Sequence, residues 1–227
     1  ALSRIAHSSL YRTTDAGNSV FLVQKENEVR YVILRVTRIC GETASEVGLL
    51  EDVTIPTLEQ QRIERERDYD ILTGLYNRQA FNRVCADLFA HPAQLHCSAL
   101  LMMDLDNLKH INDTYGHECG DVVLKSVAEV ILRNMGGGNT ACRWGGEEIL
   151  MIMYGSAMDC FHTISRIKAQ INDLKIMHDG TPVKVSMTFG FAASGESGSQ
   201  DIDAMLSTVD KRLYKGKASG KNVIVVE

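Results

Sequence analysis

Between residues 20 and 38, apolar and polar positions alternate in a strand-like way. Val20-Phe21-Leu22-Val23 and Val29-Arg30-Tyr31-Val32-Ile33-Leu34, joined by the polar Lys25-Glu26-Asn27-Glu28, predict an antiparallel hairpin. A polar loop over 41–46 leads into one more short strand over 48–54. The pattern then changes. Residues 56–70 are dense in charge and helical in composition, and Pro56 suits a first helical turn. Ile55, Leu58, Tyr69 and Leu72 share a seam of three- and four-residue steps, with Arg62 and Arg65 in its middle. This leaves two readings: a connector helix that pairs with a second copy, or a solvated linker helix.

Gly74 marks a turn, and Asn77 is placed to cap a helix that sets Phe81, Val84, Leu88 and Phe89 on one face. Asp70 and Arg78 are expected to pair across that turn. The run Ala99-Leu100-Leu101-Met102-Met103 predicts a central strand ending in Asp104-Leu105-Asp106, with a helix over 107–113. Gly116 and Gly120 frame an expected loop over 112–121. A long amphipathic helix follows, with Asp121 as its N-cap and Val122, Val123, Val127, Val130 and Ile131 along it. Next, Ala141-Cys142 and Ile149-Leu150-Met151-Ile152-Met153 flank Gly145-Gly146, a strand, two-residue turn, strand pattern. Beyond it lie a helix over 157–174, a strand over 183–192, a loop over 195–199 and a helix over 201–215. Met205, Leu206, Val209 and Leu213 of that last helix face inward. A basic turn over 215–222 and a strand over 223–226 close the chain. Strands and helices in this mixed order imply an α+β or α/β sheet with helices packed on it.

Composition narrows the class. A chain of 227 residues with a net charge of −5 can bury a real core and is a poor non-specific binder of nucleic-acid polymers. Six cysteines are scattered without a Cys-x-x-Cys pair, which predicts free thiols in a reducing cytosol and no zinc site. The longest apolar run is far too short to span a bilayer, and no signal peptide is visible. The expected location is cytoplasmic. The chain begins at Ala1 rather than Met, as a piece of a longer protein would, so a membrane segment outside it stays open.

The candidate chemistry sits at two places. Asp104 and Asp106 alternate onto one side of a strand end, where hard oxygen ligands suit Mg²⁺; acidic capping of the next helix is the other reading. Glu147 and Glu148 stand at the Gly-Gly turn, where neighbouring carboxylates repel unless a cation or a hydroxyl-bearing substrate relieves them; a solvated hairpin tip is the alternative. His117 is read as a loop-stabilising histidine before a ligand.

Together these stretches carry a family resemblance. Asp70-x-Leu-Thr-Gly-Leu-x-Asn-Arg78, Asp104-Leu105-Asp106, the 112–121 stretch and Gly145-Gly146-Glu147-Glu148 resemble, in order, the GGDEF family of diguanylate cyclases. The resemblance implies a palm-like mixed sheet flanked by helices, similar to nucleotidyl cyclases, over residues 70–227. It implies condensation of two GTP into cyclic di-GMP and two pyrophosphates by a homodimer using Mg²⁺, with Mn²⁺ as a substitute. Carried over by position, Asp104, the Leu105 carbonyl and Glu147 match metal ligands, and Glu147 and Glu148 match catalytic positions. Asn112 and Asp121 match the guanine-reading residues, and Lys109, Lys217 and Lys221 match the phosphate-side cations. Residues 1–54 form a small β-rich unit whose closing Glu51-Asp52-Val53-Thr54 resembles the end of a PAS sensor domain, with 55–69 as the connector helix. A GTP- or cyclic di-GMP-binding domain without turnover, and a pairing scaffold, are the rival classes. Four positions depart from the family pattern: Leu108, Ile149, Gln79, and Gly136-Gly137-Gly138-Asn139 where many relatives carry the Arg-x-x-Asp product-inhibition site. A glycine run offers no guanidinium, so that site is expected to be absent.

Overall fold

The strand β6, Ala99–Leu105, is buried along its whole length because it has a neighbour on each edge and helices on each face. A computed structural model describes residues 9–13, 19–25, 28–39, 45–90, 99–136, 138–193 and 202–227. The chain divides into two units, one ending at Arg65 and one beginning at Glu66.

The first unit is an antiparallel meander of β1 (Ser9–Thr13), β2 (Ser19–Lys25), β3 (Glu28–Ile39) and β4 (Ser45–Asp52). The predicted hairpin is its centre, with Val20 opposite Ile33 and Phe21 opposite Val32. Val20, Tyr31 and Ile33 form its small core. The helix α1, Thr54–Asp68, begins here and places Pro56 in its first turn, as expected. The predicted apolar seam does not run on past it. Ile55 and Leu58 are exposed, Tyr69 stacks on Tyr76 at 4.8 Å, and Leu72 packs on the core of the second unit. The helix stops at Asp68 because the Asp70 turn takes over the backbone, with the Asp70 N–H donating to Leu75 O at 2.8 Å.

The second unit has a six-stranded mixed sheet in the order β12-β11-β6-β8-β7-β5. Its strands are β5 (Tyr76–Asn77), β6, β7 (Thr140–Arg143), β8 (Glu148–Met153), β11 (Met187–Ala193) and β12 (Ile224–Val225). Only the outer pairs, β5 with β7 and β11 with β12, are parallel. The helices α3 (Leu108–Tyr115), α4 (His117–Asn134) and α5 (Ala157–Asn172) cover one face. The helices α2 (Arg78–Ala90) and α6 (Ile202–Ala218) cover the other. This is the mixed sheet flanked by helices that the residue pattern implied.

Two expectations change. The strand expected over 183–192 is two: β10 (Thr181–Val183) pairs with β9 (Ile176–His178) in a separate hairpin, and β11 starts only at Met187. Left-handed Asp179 and Gly180 make the tight turn between β9 and β10. The loop expected over 112–121 shrinks to Gly116, and the loop over 195–199 lies outside the described residues. Cys85, Cys119, Cys142 and Cys160 are buried thiols outside any disulfide, with burial pushing Cys142 up to about 12; Cys40 and Cys97 lie outside the described residues. Among the described residues no helix is long and apolar enough to cross a membrane.

Candidate active site

Alternation along β6 aims the acids. Leu100 and Met102 pack with Met205, Val209 and Leu213 of α6, and Asp104 and Asp106 continue the same face. Asp104 therefore meets the C-terminal end of α6, where Lys217 Nζ lies 2.6 Å from its Oδ2. Burial pushes the Asp104 carboxyl up to about 6; Lys217 works against that shift, while the charges of Glu147 and Glu148 add to it.

Strand register places Glu148 directly opposite Asp104. The turn before it is longer than two residues. The N–H groups of Trp144 and Gly145 both donate to Glu148 O, at 2.8 and 3.3 Å, and Gly145-Gly146-Glu147 forms the bridge. Neither glycine adopts a positive φ. Gly145 is needed for space instead, since a Cβ there would stand 2.7 Å from Glu148 Oε2. The Leu105 N–H donates to Glu147 O at 3.1 Å, tying the turn to the acidic strand end. Arg143 holds the turn from behind, donating from Nη2 to Gly146 O at 2.8 Å and facing the Asp70 carboxylate at 3.3 Å. The expected Asp70–Arg78 pair is thus replaced. Asp70 also accepts from the Thr73 hydroxyl at 2.6 Å, and the Arg78 guanidinium lies 4.2 Å from the Trp144 ring centroid.

A pocket of about 380 Å³ gathers Asp104, Glu147, Lys109, Lys217 and Lys221. Leu105, Glu148, Asn112 and Asp121 are not among its lining residues, whereas His110 and Asp113 are. Asp121 does not cap a helix. The left-handed Gly116, φ 84°, alone separates α3 from α4, so α4 starts at His117 and Asp121 lies inside it, exposed. Gly120 lets α4 close onto Asn112: a Cβ at 120 would stand 1.9 Å from Asn112 Oδ1. That oxygen is buried without a hydrogen-bond partner, an arrangement that marks a group kept for a ligand or for strain.

Asp106 lines the same pocket, and the N-cap of the next helix is Asn107 rather than Asp106. Its carboxylate accepts from Ser186 Oγ at 2.8 Å, Thr188 Oγ1 at 2.6 Å and the Asn222 N–H at 3.0 Å. Residue Asn107, at the N-cap of α3, is left-handed and makes no side-chain cap. Lys221 Nζ donates to Asn107 Oδ1 at 2.6 Å. Asn107, Lys221 and Asn222 all have positive φ, a conformation that costs roughly 1–3 kcal/mol per non-glycine residue and persists only where neighbours hold it. Ser186, Thr188 and Asn222 were invisible in the sequence as partners of this aspartate.

The donor set fits a small hard cation. Among the described residues no three His, Cys, Asp or Glu side chains gather tightly enough to hold an ion alone, and Asp104 is paired with an ammonium. Two carboxylates and a backbone carbonyl still suit Mg²⁺, which keeps several ligands from water or substrate.

The site therefore sits where the central strand of a mixed, helix-flanked sheet ends, with Asp104 facing Lys217. The chain belongs to the GGDEF family: residues 67–223 match the domain described as diguanylate cyclase, GGDEF domain. It is 31% identical over 175 residues to diguanylate cyclase DgcS of Shewanella oneidensis, covering 77% of this chain and 57% of DgcS. It is 29% identical over 178 residues to diguanylate cyclase DgcM of Escherichia coli, covering 78% of this chain and 42% of DgcM. The chain thus spans about half the length of these curated relatives. The coiled coil and GGDEF domain of DgcB from Caulobacter crescentus, solved in complex with c-di-GMP, superposes with a TM-score of 0.65 at 27% identity, covering 77% of this chain and 93% of that one.

Proposed function

We propose that this chain is an active diguanylate cyclase that condenses two GTP into cyclic di-GMP and two pyrophosphates as a homodimer. The observation that carries this reading is the convergence of Asp104, Glu147, Lys109, Lys217 and Lys221 on one pocket beside an intact Gly-Gly-Glu-Glu turn. In the reaction a 3′-hydroxyl of one GTP attacks the α-phosphorus of the other, and pyrophosphate leaves. Lysines hold the leaving phosphates, Glu148 lies on the ribose side, and Asn112 and Asp121 read guanine. A carboxylate at Asp121 accepts from both the ring N–H and the exocyclic amine of guanine, a donor pair that adenine lacks. Mg²⁺ held by Asp104, Glu147 and the Leu105 carbonyl would neutralise charge on the phosphate oxygens. Each half-site holds one GTP, so two copies must face each other. The N-terminal sheet fits a PAS-like sensory unit joined to the cyclase through α1. Incubation of the purified protein with GTP and Mg²⁺, followed by separation of nucleotides, should yield cyclic di-GMP, and ATP should give no cyclic product. GTP binding without product would favour the effector reading.

Control by product is proposed to be missing. Asn139 stands where the family's product clamp has its aspartate, and its Oδ1 accepts from the Tyr154 N–H at 2.9 Å. Arg133 is exposed in the last turn of α4 and offset from the clamp position. Progress curves should therefore stay unchanged when micromolar cyclic di-GMP is added. Strong non-competitive inhibition that survives mutation of Arg133 would show another inhibitory site.

A further inference from the structure

We propose that Asp106 is a positioning residue that holds the basic turn after α6, and with it Lys217 and Lys221, against the phosphate side of the pocket. This rests on the reading of the site as a GTP site. Asp106 is 4% exposed, and its carboxylate has three donors from two separate segments, Ser186 and Thr188 around the start of β11, and Asn222. Two observations give the turn a need for such an anchor. Lys221 and Asn222 are consecutive left-handed residues with side chains, a backbone state that a free turn would abandon. The Asn222 N–H points inward, shared between Asp106 Oδ2 at 3.0 Å and Thr188 Oγ1 at 3.1 Å. With that N–H fixed, Lys221 is carried toward the pocket, where Nζ reaches Asn107 Oδ1, and its own N–H closes the turn on Gly216 O at 3.1 Å. Lys217 stands one residue after Gly216, on the last turn of α6, at 2.6 Å from Asp104. Asp106 and Asp104 lie on the same face of the chain yet divide the work: one meets an ammonium, the other meets only neutral donors.

This assignment differs in its consequences from a second metal-ligand role for Asp106. Asp106→Asn keeps the shape but removes the charge and one acceptor. Binding of GTP and of GMP is measured by titration for the unaltered protein and the variant, alongside the Mg²⁺ dependence of turnover and thermal unfolding. The expected result is GTP affinity weakened about tenfold or more, because charge-assisted bonds that fix the lysines are lost, with GMP affinity changed less than about twofold. The Mg²⁺ concentration for half-maximal rate should stay put. A matching loss for GMP, an unchanged GTP affinity, or a large rise in the Mg²⁺ requirement would each overturn the proposal. If Asp106→Asn does not fold, Thr188→Val, similar in shape, removes the hydroxyl that donates to Asp106 and accepts from the Asn222 N–H, and should show the same selective loss of GTP affinity, to a smaller degree. Failure of the unaltered protein to bind GTP at all would overturn the reading of the site and this inference with it. GTP binding without turnover would overturn only the cyclase reading, and the comparison of GTP with GMP would still decide.

Discussion

Asp104→Ala is expected to abolish cyclic di-GMP synthesis, with turnover reduced by about a thousandfold or more. The side chain is the carboxylate that β6 delivers to Lys217 in the pocket Glu147 also lines, whereas nearby Asp106 is already held by Ser186, Thr188 and Asn222. Folding should survive, because the penalty of burying the charge disappears with it. The unaltered protein offers a second check through pH. The folded carboxyl is pushed up to about 6 from an ordinary 3.8. A folded value above the unfolded one means that the folded chain holds the proton more tightly. The stability due to this group is therefore fully present below the unfolded value and is lost as pH rises through about 6. Activity should run the opposite way in the absence of saturating cation, falling as pH drops through about 6, since the ionised form does the work. Melting temperatures and initial rates measured over the same pH series should show these opposed slopes. Asp104→Asn should remove the stability slope. Parallel slopes, or full activity in Asp104→Ala, would exclude this assignment.

The elements that carry this site were legible because their signals are local. The central strand announces itself as an apolar run, and its terminal acids follow from alternation within a few residues. The hairpin of β7 and β8 is readable from Gly145-Gly146, although its true length depends on where the Trp144, Gly145 and Glu148 backbones meet. What could not be read were pairings set by tertiary structure. Asp106 finds its partners 80, 82 and 116 residues away, and Asp70 finds Arg143 at a separation of 73. Nothing in the local pattern distinguishes an aspartate that meets an ammonium from one that meets two hydroxyls and a backbone N–H. The split of the 183–192 stretch was signalled by Asp179-Gly180, a tight-turn pair, but the alternation after it pointed to one long strand. The capping role read for Asp121 failed for a related reason. Gly116 and Gly120 look alike in sequence; one breaks the helix with positive φ, and the other sits within it to admit Asn112.

A second large effect is expected from Gly190→Ala, a position with no chemistry of its own. Gly190 lies in β11 opposite Met102 of β6, under α6. A Cβ there would stand 2.1 Å from Val209 O and 2.7 Å from Leu213 N. Both are helix backbone atoms, so no rotamer change relieves the overlap, and the helix must lift from the sheet as a body. Overpacking against side chains commonly costs about 1–3 kcal/mol, and rigid backbone places this case at or above the upper end. That is a large share of the roughly 5–15 kcal/mol by which a domain is stable. Lifting α6 also uncovers Met205, Val209 and Leu213 and carries Lys217 away from Asp104. Urea unfolding of Gly190→Ala should show a midpoint well below that of the unaltered protein, with turnover lost in the fraction that remains folded. Gly136→Ala is the control, because a Cβ there meets nothing within 4 Å and its φ is not left-handed. An unchanged midpoint for Gly190→Ala would mean that α6 does not sit on β11 as closely as these distances require.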